Sequence, residues 1–225
     1  MQGNKIVIVG TGETADIAYD YFRYDSDFEV VAFSVNNEFL TSNKYSELPL
    51  VSLEELNNNF PPSHYKTFVA MSSGKLNRNR QKVYEEVKEL GYECVSYISS
   101  KAFVWRTAKI GENCFIFENN VIQHGVEIGN NVILWSGNHI GHQTRIRDHV
   151  FVSSHCVISG YCDIGENSFL GVNATVADHV KVNRDCFIGM GAVVSKEVPE
   201  NSLVVPARSE IVKTRTAKQI CNVLD

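Results

Sequence analysis

The sequence is short of proline. Five occur among 225 residues, and none lies between Pro62 and Pro199. Proline has no backbone N–H, so so long a gap suits a chain whose backbone donors are in regular use. Paired cysteines are also missing. Six cysteines occur without a CxxC spacing, which argues against a zinc or disulfide framework. Positive charge is not in excess: 21 Lys+Arg face 26 Asp+Glu, for a net charge of -5. Nucleic acid is therefore not expected as the main partner, because phosphate backbones call for a basic surface. A phosphate-bearing small molecule needs only a local site and is still allowed. No apolar run approaches the ~20 residues of a membrane helix, so no membrane association is expected. The stretch Ile6–Val9 is too short and wrongly flanked for a signal peptide, and a cytoplasmic location is expected. Hydrophobic content of 44% and charged content of 21% fit a soluble globular protein of one or two domains.

What the chain does have is a repeat. Stepping by six from Ile98 gives Val104, Ile110, Ile116, Ile122, Ile128, Leu134, Ile140, Ile146, Val152, Ile158, Ile164, Leu170, Val176, Val182, Ile188 and Val194, all aliphatic and in one register. The next step meets Glu200, where the array is expected to stop. Glycine follows the aliphatic at 111, 129, 141, 165, 171 and 189. Four residues after the aliphatic the chain is small or β-branched, and Cys114, Cys156, Cys162 and Cys186 share that column as small buried hydrophobes. This is a β-solenoid signature. Each hexapeptide makes one short strand and one corner, three strands make a coil of 18 residues, and stacked coils pair as parallel strands ~4.8 Å apart. Ile98 to Pro199 accommodates between five and six coils. The glycines are expected at corners that require positive φ.

The first 97 residues read differently. Lys5–Gly10 is an apolar run ending at glycine, a parallel-strand signature, and a helical pattern with Ile17, Ala18 and Phe22 follows. Further strands are expected at Glu29–Val35, Lys66–Met71 and Cys94–Ile98, with a polar helix around Arg80–Leu90. Alternation on this scale predicts a small doubly wound α/β domain. The match Gly10-x-Gly12-x-x-Ala15 leaves three readings open: a dinucleotide, a tight turn with no ligand, or a different nucleotide such as a nucleotide sugar. An NAD site expects an acidic residue at the end of the second strand, and Ser34, Val35, Asn36 and Asn37 stand there.

Six of the seven histidines lie in the repeat. A coil of 18 places His124, His142 and Gly160 at one corner on successive rungs, so His142 is expected within about one strand spacing of the Gly160 amide. A neutral imidazole beside an exposed amide suits acyl transfer: the base takes a proton from the attacking group and the amide stabilises the oxyanion.

A small Rossmann-like domain followed directly by this hexapeptide array resembles the sialic-acid O-acetyltransferase and nucleotide-amino-sugar N-acetyltransferase family. The resemblance extends to about Arg208. It implies an α/β Rossmann-like domain over 1–97, an all-β left-handed parallel β-helix over 98–208, and a tail over 209–225. It also implies a homotrimer with active sites between neighbouring solenoids, acetyl-CoA as co-substrate, and no metal. The implied activity is acetyl-CoA-dependent N-acetylation of a nucleotide-linked amino sugar in bacterial surface-glycan biosynthesis; acetylation of a sugar hydroxyl is the alternative.

Carried onto these residues, the general base falls on His142 in Ile140-Gly141-His142-Gln143 and the oxyanion amide on Gly160 in Ile158-Ser159-Gly160. CoA contacts fall on Gly160, Val172, Met190, Gly191, Pro206 and Arg208. Sugar-nucleotide contacts fall on Gly10, Gly12, Thr14, Ser34, Asn36, Met71 and Ser72, and His155 is a further candidate for the acceptor. Where the family often has a carboxylate after the base, this chain has Gln143, which can orient an imidazole but cannot stabilise imidazolium by charge.

Two readings from other classes compete. A metal-dependent hydratase on the same scaffold uses three histidines, two of them five apart; successive gaps here are 15, 3, 7, 6 and 24. A non-catalytic scaffold would tolerate loss of His142. The tail, with Ile211, Ile220, Val223 and Leu224, is expected to cap the open end of the solenoid.

Overall fold

The computed structural model describes residues 4–221. Strand β1 (Lys5–Val9) alternates its side chains between two cores. Ile6 and Ile8 pack with Ala15, Ala18 and Phe22 of helix α1 (Glu13–Tyr24). Val7 and Val9 pack on the other side with Val83 and Val87 of helix α3 (Arg78–Glu89). Strands β2 (Glu29–Val35), β3 (Lys44–Tyr45), β4 (Leu48–Ser52) and β5 (Lys66–Val69) complete a sheet of order β3-β4-β2-β1-β5. The pairs are parallel except β3 with β4. Helix α2 (Leu56–Asn59) is a single turn. The expected doubly wound α/β arrangement is present, with an added hairpin of β3 and β4.

The last expected strand of this unit is divided. Cys94 makes one isolated bridge to Thr67, whereas Tyr97–Ile98 pairs with Phe115–Ile116 in the first rung of the solenoid. The chain passes directly from one structure into the other.

The repeat folds as a left-handed parallel β-helix. Two-residue strands pair at intervals of 18, as in Ile122 with Ile140 and Ile140 with Ile158. The aliphatic column fills the interior from Ile116 to Val194. At the open first rung Ile98 has no coil beneath it and is 39% exposed. The other end continues past the expected stop: Val198 bridges Val182, and Leu203–Val204 pairs with Phe187–Ile188. Sixteen residues separate Ile188 from Val204, so the last coil closes two residues short.

Positive φ does not fall on the glycines that follow the aliphatics. It falls two residues later, at every sixth position from Asn113 through Asn119, Gly125, Asn131, Gly137 and Gln143 to Gly191. Asparagine tolerates this conformation best after glycine, which explains its frequency there. The glycines answer a different need. A Cβ at Gly141 would lie 2.5 Å from the Ser159 carbonyl carbon, and one at Gly171 would lie 2.6 Å from the Met190 nitrogen. The next coil passes too close for any side chain. The four cysteines are buried as expected, and each thiol also donates to a carbonyl at 3.1 Å: Cys114 to Gly129, Cys156 to Gly171, Cys162 to Ala177 and Cys186 to Pro199. Burial pushes the Cys156 thiol up to about 11.

Each face of the prism has its own outward column. One carries Tyr97, Phe115, Ile133, Phe151 and Phe169, and lies against the α1 side of the N-terminal sheet. A second carries Lys109, Glu127, Arg145, Asp163 and Lys181, an alternating ladder with ion pairs Lys109–Glu127 at 2.9 Å and Arg145–Glu127 at 3.4 Å. The third carries Phe103, Val121, His139, Val157, Thr175 and Val193, with Phe103 52% and Val193 74% exposed.

The N-terminal unit is joined to the prism by polar side chains as well as by the aromatic face. Asn113 accepts from the Val69 N–H at 2.7 Å and donates to the Val69 carbonyl at 3.2 Å, continuing β5 as a further strand residue would. Arg80 is buried completely against the corner at Asn131 and His149. Residues 207–221 are exposed throughout, so the described part of the tail does not cap the solenoid. Val223 and Leu224 lie outside the described residues.

Candidate active site

His142 and Gly160 meet as the spacing of 18 predicts. The imidazole leans onto the next rung: a Cβ built on Gly160 would lie 2.6 Å from His142 Cε1 and 2.9 Å from Nε2. Glycine at 160 thus makes room for the ring. His142 is exposed, and its backbone N–H donates to Gln123 Oε1 at 3.0 Å. His124, one rung earlier, is tied to Thr107 at 3.0 Å.

Gln143 does not orient the imidazole. Its amide lies across Gly125 on the preceding rung, where an added Cβ would meet Nε2 at 2.5 Å. Among the described residues no hydrogen bond joins it to the His142 ring.

Three neighbours at this corner were not foreseen. The Gly160 N–H donates to Asp178 Oδ1 at 2.8 Å. Tyr161 sets its ring against His142, with centroids 5.1 Å apart and planes at 85°. His179 stacks on Tyr161 at 4.8 Å and 2°. The signal was available: Asp178 is one further step of 18 beyond Gly160, and Tyr161 and His179 occupy the adjacent column.

The proposed CoA positions lie at a different corner, between the aromatic and apolar faces. Val172 and Met190 are exposed there, Met190 to 69%. Pro206 is near them, since a Cβ on Gly189 would lie 3.2 Å from Pro206 Cδ. Gly191 takes positive φ and opens to solvent. Arg208 is exposed beyond them. His155 belongs to this corner too, its ring lying over Gly137 with a would-be contact of 2.7 Å.

The glycine-rich turn borders a cleft of about 240 Å³ lined by Gly10, Thr11, Val35, Asn36, Phe39 and Met71. At Gly10 φ is 130°, and a Cβ would sit 2.7 Å from the Ala70 carbonyl oxygen. Asn36 is held by Glu86, Nδ2 to Oε2 at 3.0 Å. The Gly12 N–H is already given to the Tyr45 hydroxyl at 2.8 Å. Thr14 and Ser72 line a separate narrow gap against Phe117 and Trp135. Ser34 is buried behind the cleft, and its hydroxyl finds no partner among the described residues.

Comparison with known proteins bears on this arrangement. The model of the GMPPB C-terminal domain matches residues 93–204. No curated protein matches the sequence. Solved structures match along most of the chain. The acetyltransferase domain of PglB from Neisseria gonorrhoeae FA1090 is 23% identical, with 89% of this chain and 96% of that one aligned and a TM-score of 0.79. PerB from Caulobacter crescentus, solved with CoA and GDP-perosamine, is 24% identical over 88% of this chain and 92% of its own, with a TM-score of 0.78. The fold is that of the hexapeptide-repeat sugar acetyltransferases. WeeI from Acinetobacter baumannii AYE shares it at 18% identity, 90% and 98% coverage, and a TM-score of 0.61. Among the described residues no helix is long and apolar enough to cross a membrane.

Proposed function

We propose that the protein is an acetyl-CoA-dependent N-acetyltransferase acting on a nucleotide-linked amino sugar, in the cytoplasm, for surface-glycan assembly. The observation that carries this reading is the His142 imidazole lying on Gly160 at an exposed corner, one rung from a backbone amide. The likeness in fold to PglB and PerB supports it.

The amine nitrogen attacks the thioester carbon, forming the C–N bond. His142 takes the N–H proton as the tetrahedral intermediate forms. The Gly160 amide donates to the developing oxyanion, which must displace Asp178 Oδ1 from that amide. Collapse breaks the C–S bond, and the CoA thiolate takes the proton from His142.

One copy does not assemble this site. His142 and Gly160 lie at the corner between the apolar and charged faces, whereas Val172, Met190 and Pro206 lie at the corner between the apolar and aromatic faces. The apolar face separates the two. A homotrimer closed through that face brings the base corner of one copy to the CoA corner of the next, and a closed ring of this kind needs one heterologous contact repeated three times. Gly10, Asn36 and Met71 are assigned to the nucleotide.

The test is thiol release from acetyl-CoA with a panel of nucleotide-linked amino sugars and their hydroxyl analogues, beside light scattering for mass. Transfer to an amine, lost in His142→Ala with folding intact, is the expected result. Full activity in His142→Ala, or no transfer to any acceptor, refutes the reading.

A further inference from the structure

We infer that Tyr161 is the positioning residue for His142, fixing its imidazole by ring contact where no carboxylate does so; this rests on the proposed role of His142. Neither ring nitrogen of His142 is hydrogen-bonded to a protein group among the described residues, and Gln143 is turned to the preceding rung. An exposed imidazole with no such partner would otherwise sample several rotamers. Two surfaces confine it. Gly160 lies beneath the ring, and Tyr161 meets it nearly perpendicularly with centroids 5.1 Å apart. Edge-to-face contacts of this kind are favourable and directional.

Tyr161 is itself held from beyond. His179 stacks on it at 4.8 Å and 2°, and backbone bonds fix the successive rungs: the Tyr161 N–H donates to the His142 carbonyl at 2.9 Å, and the His179 N–H to the carbonyl of Gly160, the residue before Tyr161, at 3.0 Å.

The residue type is also out of place for structure alone. Tyr161 has φ of 56°, at the corner column where Asn, Gly, His, Gln and Asp fill the other positions from Asn113 to Gly191. A bulky side chain is disfavoured there. The ring is 53% exposed and adds nothing to the interior of the helix. Its ring contacts are with His142 and His179. Strained residues of this kind are retained where a site uses them.

The experiment compares Tyr161→Asn and Tyr161→Phe with the full-length wild type. Asparagine suits the corner, so Tyr161→Asn is expected to melt no lower than wild type while kcat falls about three- to tenfold, the size of an aromatic-pair contact, with KM for both substrates within about twofold. Tyr161→Phe keeps the ring and is expected within about twofold of wild type. Imidazole NMR supplies a readout that needs no turnover: the His142 and His179 ring protons should shift in Tyr161→Asn and stay near wild type in Tyr161→Phe. Unmoved histidine resonances in Tyr161→Asn, wild-type kcat in that variant, or equal loss in Tyr161→Phe each overturn the inference. Absence of acetyl transfer by the wild type refutes the proposed function instead, and the NMR comparison then still decides whether Tyr161 holds the ring.

Discussion

Replacing Arg80 should loosen the N-terminal unit from the β-helix. The guanidinium is fully buried, and its hydrogen-bond partners are neutral oxygens. Nη1 donates to the Ser72 carbonyl at 2.9 Å, and Nη2 to the carbonyls of His149 at 2.9 Å and Asn131 at 3.3 Å. Burial lowers its pKa to about 9, so the group is still charged at neutral pH and the corner carbonyls solvate it in place of water.

Arg80→Met removes the donors to four buried or part-buried acceptors, the Ser72, Asn131 and His149 carbonyls and Asn77 Oδ1, at about 1–3 kcal/mol each. Relief from desolvating the cation offsets part of that, for a net loss of about 2–4 kcal/mol. Arg80→Lys keeps the buried charge but has no planar fork to reach carbonyls on two rungs. It should therefore be the worse variant, although it is the more conservative in charge. Urea unfolding followed by tryptophan fluorescence is a suitable assay, because Trp135 stacks on Phe117 beneath the N-terminal unit, with centroids 4.4 Å apart. Both variants should show an early transition in this signal before the β-helix unfolds. Lysine milder than methionine, or a methionine variant as stable as wild type, would mean that the cation is not what joins the two parts.

Two glycines separate stability from activity. Gly141→Ala drives a Cβ against backbone at 2.5 Å and should cost about 1–3 kcal/mol, read as a lower melting temperature. Gly160→Ala has its three nearest contacts in the His142 ring, which can swing outward, so the fold should hold while kcat falls about a hundredfold; an active Gly160→Ala enzyme would remove His142 from its assigned place. Acid should expose the contribution of Asp25, whose carboxyl is held down at about 2 by hydrogen bonds from Ser100 and Tyr97. Its folded pKa is depressed, so its stabilisation is complete above the ordinary 3.8 and is lost as pH falls through about 2. The site is partly open to solvent, which limits the term to about 1 kcal/mol. The stability gap between wild type and Asp25→Asn should shrink by about half between pH 6 and pH 3.

The period of six was enough to read the inward column, the coil of 18 and the meeting of His142 with Gly160, because backbone pairing leaves that register no freedom. The corner chemistry was not legible in the same way. Glycine at 141 and asparagine at 131 are both turn residues by composition, and only coordinates separate a position that needs positive φ from one that needs an absent Cβ. Cys94–Ile98 reads as one strand because it is a short, mostly apolar run; the sheet it joins changes within it, and such a run carries no information about which sheet a strand pairs with. Arg80 reads as one of several charges on a polar helix, and nothing local marks it as the residue that is buried.

The outward columns explain why one repeat serves three surfaces. The residue before each inward aliphatic always points out, so steps of 18 give each face its own chemistry independently of the interior. Aromatic residues from Tyr97 to Phe169 meet the N-terminal unit, and alternating charges from Lys109 to Lys181 meet water while neutralising one another along the ladder. Among the described residues the column with Phe103, Val157 and Val193 has neither a covering element nor a Lys, Arg, Asp or Glu, and it lies between the corner with His142 and the corner with Met190 and Pro206. In the proposed trimer a second copy covers this apolar face, and His139, half-buried in the middle of that column, is where a charge would test it. His139→Asp should leave each β-helix folded, because the side chain points away from the interior, and should lower both the measured mass and the acetyl-transfer rate. A variant that loses neither would place the contact between copies on another face.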